Sequence, residues 1–505
     1  MARSQTVSAR EASDDDTELL VVSNRQPYSH EYGEVQGTGE RIIEVDRPAG
    51  GLTAGLDPVM QRTNGTWIAW GDGDADPDVV DDDNCVTVPP GDEGYTLRRV
   101  WLSQEDVNNY YYGYSNQVLW PLCHGDPGRM NVEEQFWQRY RDVNRTFADA
   151  VAEQANDDML VWFQDYHFGL APRAVRNDYP DARLTQFWHI PWPAWDTFHA
   201  CPHGAALLDG LLANDMLGFH VEHYCRNFLR CVDQCLDNAT VDWNTNRVRY
   251  RGDETIVKSF PMGVDFDQIE CCSATDAANA FWNEFRERHG LGDVQVALGV
   301  DRLDYTKGIP QRIVALERLW ETRPAWRGEL TYIQKGIGSR EQIDEYQQLQ
   351  NRVDNAIERV NDRFGTDDWQ PIINVEEMLP TKQLYGLYRH SDIALVSPVR
   401  DGMNLVAKEY VAAQVDADGV LLLSELAGAH NELGEYALSI NPYDTAGFAN
   451  AIERALTMDD SERKRRMTQL RHNVASNNLY WWMNEFLNAA QTHWIADKQI
   501  GSSTD

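Results

Sequence analysis

Lysine is scarce in this sequence. Only seven of the 45 basic residues are lysines, and 80 acidic residues give the 505-residue chain a formal net charge of −35 and a pI near 4.6. A chain this acidic lacks the clustered basic surface that a nucleic-acid backbone requires, so we exclude nucleic acid as a partner. Arginine in place of lysine, with acidic residues spread along the chain, also favours a salt-adapted (halophilic) cell, where screening leaves anion binding to side chains in direct contact.

Long apolar runs are absent as well. No stretch approaches the roughly 18 uninterrupted apolar residues of a membrane span, so we expect no membrane insertion. Residues 1–17 lack the apolar core of a secretory signal and end in an acidic run, which predicts a disordered acidic tail and a cytoplasmic protein. The eight cysteines include no C-x-x-C pair, which favours reduced thiols. The zinc-like grouping of His220, His223 and Cys225 lacks tetrahedral pair spacings, so we predict no metal site there.

Short apolar runs alternate with helical periodicity along the chain, which indicates parallel α/β architecture. Strands are predicted at "ELLVVSNR", "MLVWFQD", "RLTQFWH" and "DMLGFH" in the first half, and at "VQVALGV", "LTYIQK", "IALVSP", "GVLLLS" and "ALSINP" in the second. We predict two Rossmann-like doubly wound domains, residues 18–258 and 259–478, facing across a cleft. A C-terminal helix over 479–500 is expected to pack back on the first domain. Ligands bind at the carboxyl ends of parallel strands, so the cleft is the predicted site.

One stretch combines two basic residues with a junction between a strand and a helix. "VDRLDYTKGIP", residues 300–310, places Arg302 and the rare lysine Lys307 directly after the strand "VQVALGV". Backbone N–H groups and the helix dipole favour an anion at such a junction, so we interpret the pair as a phosphate clamp. Two surface bases bridging to Asp301 and Asp304 are the alternative. No Walker A or G-x-G-x-x-G pattern is present here, which disfavours a nucleoside triphosphatase.

A second candidate lies at "SPVRDGMNLVAKEYVAAQ", residues 397–414, where another strand ends in a loop before a helix. Asp401 and the amides of residues 402–405 are predicted to point into the cleft. Glu409, about one helical turn deeper, is suited to bind both hydroxyls of a ribose or another sugar. The alternative makes Asp401 a helix N-cap and leaves Lys408 and Glu409 facing solvent.

Eight stretches, spread over about residues 19 to 490, follow the order of one known family. They are "VVSNRQP", "RPAGGL", "YYGYSNQVLWP", "VWFQDYHFGLAP", "FWHIPWP", "LGFHVEHYCRNFL", "DRLDYTKGIPQR" and "SPVRDGMNLVAKEYVAAQ". Together they closely resemble the trehalose-6-phosphate synthases of retaining glycosyltransferase family 20. The resemblance implies the GT-B fold and transfer of glucose from UDP-glucose to glucose 6-phosphate, with no metal and no other cofactor.

The resemblance also implies a role for each donor-site residue. Arg302 and Lys307 would hold the donor diphosphate and stabilise the charge on the departing UDP, where one preorganised donor is worth about 10²–10³ in rate. Glu409 would bind the ribose hydroxyls. The other donor-site residues would be Gly50 and Gly51 in a backbone loop, Asp401, Gly402, Met403 and Asn404 at the transferred glucose, and Leu405 and Val406 at the uridine.

Further residues match the acceptor positions of the family. Asp165 would hold sugar hydroxyls at the reacting centre, and His189 would lie beside the donor glucose, so these two complete the predicted catalytic set with Arg302 and Lys307. Taken alone, His189 also fits a strand-end histidine with satisfied hydrogen bonds. The residues that would bind glucose 6-phosphate are Arg25, Tyr111, Trp120 and Arg340, of which Tyr111 and Trp120 alone also fit plain core aromatics.

Several features leave the exact reaction open. Trp192 stands where the family often has phenylalanine, and "QKGIGSRE" around Arg340 departs from the family pattern. A glycerol 3-phosphate acceptor, giving glucosylglycerol phosphate, is the nearest alternative, followed by a non-catalytic sugar-phosphate-binding regulator. The chain ends soon after "LYWWMNEFLNAAQTHW", so we expect a separate trehalose-6-phosphate phosphatase to act downstream. The nucleobase preference and a possible homo-oligomer also stay open.

Overall fold

The computed structural model describes residues 18–35, 41–47, 51–63, 65–91, 94–156, 159–340 and 342–501. The acidic tail predicted for residues 1–17 and Gly50 of the predicted donor loop lie outside the described residues.

The first half of the chain builds a ten-stranded sheet and a separate hairpin. Its strands are β1 (Leu19–Arg25), β2 (Ser29–Glu34), β3 (Arg41–Asp46), β4 (Thr66–Trp70), β5 (Cys85–Val88), β6 (Tyr95–Val100), β7 (Leu160–Gln164), β8 (Arg183–Phe187), β9 (Met216–Phe219), β10 (Thr240–Asp242), β11 (Arg247–Tyr250) and β12 (Asp253–Ser259). The sheet order is β10, β11, β12, β9, β8, β7, β1, β4, β6, β5, and β2 pairs with β3 alone. From β12 to β6 all pairs are parallel, and antiparallel strands close both edges.

The second half builds a sheet of six parallel strands. They are β13 (Gln295–Arg302), β14 (Leu330–Ile337), β15 (Ile372–Val375), β16 (Ile393–Val396), β17 (Val420–Ser424) and β18 (Leu438–Ile440). The order is β15, β14, β13, β16, β17, β18. Strands covered on both faces read as continuous apolar runs, which is why "VQVALGV", "IALVSP" and "GVLLLS" were recognisable from the sequence. The predicted α/β fold with two doubly wound sheets is confirmed.

Helices cover both sheets. They are α1 (Gly51–Thr63), α2 (Gln104–Asp106), α3 (Trp120–Cys123), α4 (Glu134–Gln154), α5 (Ala171–Asp178), α6 (Trp195–Phe198), α7 (Gly204–Leu211), α8 (Glu222–Cys235), α9 (Phe266–Ser273), α10 (Asp276–Arg288), α11 (Ile309–Thr322), α12 (Asp344–Phe364), α13 (Thr381–His390), α14 (Leu405–Ala413), α15 (His430–Leu433), α16 (Thr445–Leu456), α17 (Asp460–Ser476) and α18 (Leu479–Gly501). None of the helices in the described ranges is long and apolar enough to span a membrane.

The last helix, α18, packs on the first sheet. Its Trp482 and Phe486 are fully buried, and their rings lie 5.6 and 4.6 Å from that of Trp162 in β7. The chain reaches this position beside Gly263, where an added Cβ would lie 2.3 Å from the backbone oxygen of Asn477. Helix α18 therefore packs against the sheet that contains β1 and β7. The predicted domain boundaries at 258 and 478 stay a proposal.

Removing the Trp482 ring tests this contact. We expect Trp482→Ala to lower the free energy of unfolding by about 3–5 kcal/mol, because the substitution leaves a cavity between α18 and β7. Urea denaturation followed by circular dichroism measures the change. Glu485→Ala, on the exposed face of the same helix, is the matched control and should stay within about 0.5 kcal/mol of the unsubstituted protein. Equal effects of the two substitutions would contradict the packing described here.

Candidate active site

A cavity of about 440 Å³ lies at the carboxyl ends of strands from both sheets. Parallel strands present their carboxyl ends at one edge of a sheet, so two such sheets can enclose one site between them. Gly51 is the first residue of α1. The predicted residues that line the cavity are Arg25, Tyr111, Trp120, Asp165, His189, Arg302, Lys307, Arg340, Asp401, Gly402, Met403, Asn404, Leu405, Val406 and Glu409.

The predicted phosphate clamp lies at the junction between β13 and α11. Arg302 is the last residue of β13 and is exposed, and Lys307 ends a short 3-10 turn before Gly308. Gly308 has a φ of 66°, and an added Cβ would lie 2.0 Å from the backbone oxygen of Ser397, so only glycine fits there. This close approach brings Lys307 Nζ to 2.6 Å from Asp401 Oδ2.

The alternative partners of the clamp are engaged elsewhere. Asp301 pairs with Arg312 at 2.7 Å, and Asp304 pairs with Arg340 at 3.1 Å. Lys307 therefore pairs with neither Asp301 nor Asp304. Its partner is Asp401, in the loop between β16 and α14. Burial acts to raise the pKa of the Asp401 carboxyl, but the Lys307 ammonium outweighs it and leaves that pKa below its ordinary value. The Asp401 carboxyl is therefore ionised at neutral pH beside Lys307.

The N-cap of helix α14 is Asn404 and not Asp401. Asn404 has a φ of 85°, and its side-chain oxygen accepts a hydrogen bond from the N–H of Ala407. Its amide nitrogen also donates to Asp401 Oδ2 over 3.1 Å. Asn404 thus performs the capping that the sequence alternative assigned to Asp401, which leaves Asp401 at the cavity. The N-cap interpretation of Asp401 is wrong.

Helix α14 does not present its middle to solvent. Lys408 is fully buried and donates to Glu432 at 2.6 Å and to the Met262 carbonyl at 2.8 Å. Glu409 is half-buried at the cavity and accepts a hydrogen bond of 3.0 Å from Tyr388. Burial raises the pKa of the Glu409 carboxyl above its ordinary value. The alternative in which Lys408 and Glu409 face solvent is therefore wrong.

The two halves of the cavity meet at Gly402 and His189. A Cβ on Gly402 would lie 2.2 Å from the backbone oxygen of His189, so a side chain there would push the two sheets apart. The Nε2 atom of His189 lies 3.0 Å from Gln164 Oε1. Burial holds the pKa of His189 well below its ordinary value, which keeps the ring neutral. His189 therefore faces the cavity as a neutral group.

Asp165 lies at the end of β7 in a conformation that is rare for residues other than glycine. Its φ is 69° and its ψ is −176°, a region that adds backbone strain of about 1–3 kcal/mol. Its Oδ1 accepts a hydrogen bond from the N–H of His189 over 3.1 Å. Burial raises the pKa of the carboxyl to about 7, although neighbouring backbone N–H groups and Arg340 lower it. Strain and a shifted pKa at one residue are typical of a functional position.

Arginine and aromatic side chains form the other end of the cavity. The guanidinium of Arg340 lies 4.0 Å from the centre of the Trp120 ring and donates to Asp304 and to the Tyr166 hydroxyl. Arg340 itself has a φ of 52°. Arg25, at the end of β1, donates to the Tyr111 hydroxyl over 3.4 Å.

The pKa of the Tyr111 hydroxyl reflects the positive charge around Arg25 and Arg340. It lies in a π-helical segment, Val107–Leu119, that carries its side chain to the cavity. Burial acts to raise the pKa of the Tyr111 hydroxyl, but Arg340, Arg25 and Arg302 outweigh it and lower that pKa to about 8. A site that stabilises a phenolate also stabilises a phosphate. This end of the cavity is therefore suited to bind an anion.

Several lining residues were not predicted. The ends of β1, β7 and β9 were recognisable as strand ends, and that signal alone could have found Asn24, Gln164 and His220. Tyr166 and His167 lie inside the quoted stretch "VWFQDYHFGLAP". His124 follows α3 and had no signal in the sequence. The remaining unpredicted lining residues are Ser23, Ile190 and Met262.

Two largely parallel sheets share one cavity at their carboxyl ends, with arginine and lysine at a strand-to-helix junction, as expected of the GT-B glycosyltransferases that the sequence resembles. Residues 17–492 match the model of Glycosyltransferase family 20. The chain belongs to this family of glycosyltransferases.

Relatives and solved structures agree with the family. A trehalose-6-phosphate synthase of Mycolicibacterium vanbaalenii is 35% identical over 489 residues, which cover 95% of this chain and 97% of that protein. An E. coli structure bound with UDP-2-fluoro glucose has a TM-score of 0.83 at 32% identity, covering 94% of this chain and 98% of that one. A UDP-forming alpha,alpha-trehalose-phosphate synthase from Burkholderia xenovorans in complex with glucose-6-phosphate has a TM-score of 0.83 at 30% identity, covering 94% and 100%.

The raised pKa of Asp165 predicts a pH-dependent loss of stability. The unfolded chain releases this proton near the ordinary value of 3.8 and the folded protein only near 7, so stability falls as the pH rises between them. Asp165→Asn should therefore raise the free energy of unfolding by about 1–4 kcal/mol at pH 8, with little change near pH 4.

Urea denaturation at the two pH values measures this difference. Asp293→Asn, on a fully exposed side chain, is the control and should leave stability unchanged at both. An equal gain for Asp165→Asn at pH 4 and pH 8 would show that strain relief, and not the buried charge, explains it.

Proposed function

We propose that this protein transfers glucose from UDP-glucose to glucose 6-phosphate with retention of configuration, giving α,α-trehalose 6-phosphate and UDP. The proposal rests on the observation that basic side chains gather at two places in one cavity. Lys307 pairs with Asp401 in the loop before α14, Arg25 and Arg340 lie near Tyr111, and Arg302 lines the same cavity and also acts on Tyr111. Two phosphorylated substrates meeting in one cleft require that arrangement. The named relatives and the bound UDP-2-fluoro glucose and glucose-6-phosphate of the solved structures support it.

The donor fits the side of the cavity formed by the second sheet. Arg302 and Lys307 are placed to hold the diphosphate at the junction before α11, where the helix N-terminus adds favourable dipole charge. Asp401 and the backbone around Gly402 face the transferred glucose. Glu409 binds the ribose hydroxyls with one carboxylate. Binding of the diphosphate draws Lys307 away from Asp401, which frees that carboxylate to accept hydrogen bonds from the sugar.

The acceptor fits the opposite side. Arg25 and Arg340 bind the phosphate of glucose 6-phosphate, with the hydroxyl of Tyr111 and the ring of Trp120 beside it. Asp165 holds a sugar hydroxyl at the point where the two substrates meet. The cavity thereby brings the acceptor hydroxyl next to the anomeric carbon, and proximity of this kind supplies a large part of the barrier reduction.

Retention follows from attack on the face from which the phosphate departs. The acceptor oxygen bonds to the anomeric carbon as the bond to the UDP oxygen breaks, and the acceptor proton passes to that departing oxygen. Arg302 and Lys307 stabilise the charge that accumulates on the diphosphate. These cations supply the charge stabilisation for which other enzymes use a metal ion, so we propose a reaction that requires neither a metal nor another cofactor.

Two further proposals concern the setting of the reaction. The first is a cytoplasmic location, as the sequence predicts. The product keeps the acceptor phosphate, so formation of free trehalose requires a separate phosphatase.

Removing the Lys307 charge tests the donor clamp. Lys307→Met should lower kcat by about 10²–10³, because a preorganised donor to the departing group is lost. Steady-state release of UDP measures the change, and Lys464→Met, at an exposed position of α17, is the matched control with unchanged kcat. A Lys307→Met enzyme within tenfold of the control would contradict the clamp.

The choice of acceptor separates the proposal from its alternatives. Purified protein supplied with UDP-glucose should release UDP when glucose 6-phosphate is present. It should release no UDP with glycerol 3-phosphate or without an acceptor. NMR should show an α,α-1,1 linkage in the product. Preference for glycerol 3-phosphate would establish a glucosylglycerol-phosphate synthase instead. Binding of both substrates without turnover, with ADP-glucose and GDP-glucose also tried, would indicate a non-catalytic regulator.

A further inference from the structure

His124 is a cavity residue that neither the resemblance nor the proposed reaction assigns. It directly follows α3 and is 9% exposed, with its ring against that of Trp120 at a centroid distance of 4.2 Å. Trp120 in turn lies 4.0 Å from the guanidinium of Arg340. His124 therefore forms part of the cavity wall next to Trp120.

The hydrogen bond of His124 fixes which ring nitrogen carries the proton. Its Nδ1 atom lies 2.8 Å from the backbone oxygen of Trp120. A carbonyl oxygen only accepts hydrogen bonds, so Nδ1 is the protonated nitrogen. Burial lowers the pKa of His124 to about 4, which keeps the ring neutral at physiological pH. The Nε2 atom therefore carries a lone pair and accepts one hydrogen bond.

No group in the described part of the chain supplies that hydrogen bond. The nearest charged residues have other partners, since Lys307 is bound to Asp401 and Asp304 to Arg340. An acceptor at the wall of a polar cavity pairs with a donor from the ligand or from water. Phosphate oxygens at neutral pH offer almost no protons, whereas sugar hydroxyls do. The lone pair of Nε2 is thus matched to a hydroxyl.

We propose that Nε2 of His124 accepts a hydrogen bond from a ring hydroxyl of the acceptor sugar, which makes His124 a residue that determines acceptor specificity. The inference rests on the proposed function and names a contact within the same site. We assign the hydroxyl to the acceptor and not to the donor because His124 packs on Trp120, and the same Trp120 ring contacts Arg340, which is proposed to bind the acceptor phosphate. A pyranose ring offers hydroxyls at fixed positions along this wall, and glycerol 3-phosphate has no such ring.

Acceptors that lack one hydroxyl test the contact. The values of kcat/KM are measured with glucose 6-phosphate and with its 2-deoxy, 3-deoxy and 4-deoxy analogues, for the unsubstituted enzyme, His124→Asn and His124→Gln. An asparagine amide can still donate to the Trp120 carbonyl but places no acceptor where Nε2 lies, whereas glutamine places its terminal amide there. His199→Asn, at an exposed histidine, is the matched control.

The unsubstituted enzyme should lose about tenfold in kcat/KM with one of the three analogues, the value of one hydrogen bond to a neutral group. His124→Asn should lose about tenfold with glucose 6-phosphate and should no longer discriminate against that analogue. His124→Gln should recover part of both. The Kd for UDP should stay unchanged in each variant, because an accepting Nε2 makes no hydrogen bond to a diphosphate oxygen, which is itself an acceptor.

Two results would overturn the inference while leaving the proposed function intact. They are equal use of all four acceptors by the unsubstituted enzyme, and unchanged discrimination in a His124→Asn variant that still binds UDP. The analogue series on the unsubstituted enzyme decides the first point even where a variant fails to fold. Absence of turnover with glucose 6-phosphate itself would overturn the proposed function, and this inference with it.

Discussion

Positive charge gathered in one cavity has to be balanced by nearby oxygens, and much of the site follows from that requirement. Lys307 lies 2.6 Å from Asp401, and Arg340 lies 3.1 Å from Asp304. In the proposed reaction, a substrate phosphate replaces the carboxylate at each of these cations. The cations are thereby held in position for an anion, and little reorganisation is needed when the substrate binds.

The same charges explain why residues from both sheets are needed. Arg302 and Lys307 belong to the second sheet, and Arg25 belongs to the first. The backbone contact between Gly402 and His189 sets how closely the two sheets approach. The spacing between the cations of the two sheets therefore depends on this close contact between the two halves of the protein.

The sequence was informative where one local rule decides the structure. Continuous apolar runs predicted the parallel strands, and the strand-to-helix junction placed Arg302 and Lys307 at an anion site. Fifteen of the predicted site residues line one cavity. Their roles came from the resemblance to the family, because neither composition nor spacing distinguishes a sugar phosphate from another anion.

Other features depend on contacts that no local pattern encodes. Asn404 caps α14 from a backbone conformation with a φ of 85°, which no local sequence pattern predicts. Lys408 is buried because Glu432 and the Met262 carbonyl, far away in the chain, receive its ammonium group. Tyr111 reaches the cavity from a π-helical segment, whereas its aromatic surroundings in the sequence read equally well as core. His124 gains its chemical character from the Trp120 carbonyl and from burial.

A crystal structure of the complex with UDP and glucose 6-phosphate would decide whether one cavity holds two separate phosphate sites. We expect the diphosphate at Arg302 and Lys307, with Lys307 moved away from Asp401, and the hexose phosphate at Arg25 and Arg340. A structure in which both phosphates share one group of cations, or in which either lies outside the cavity, would contradict it.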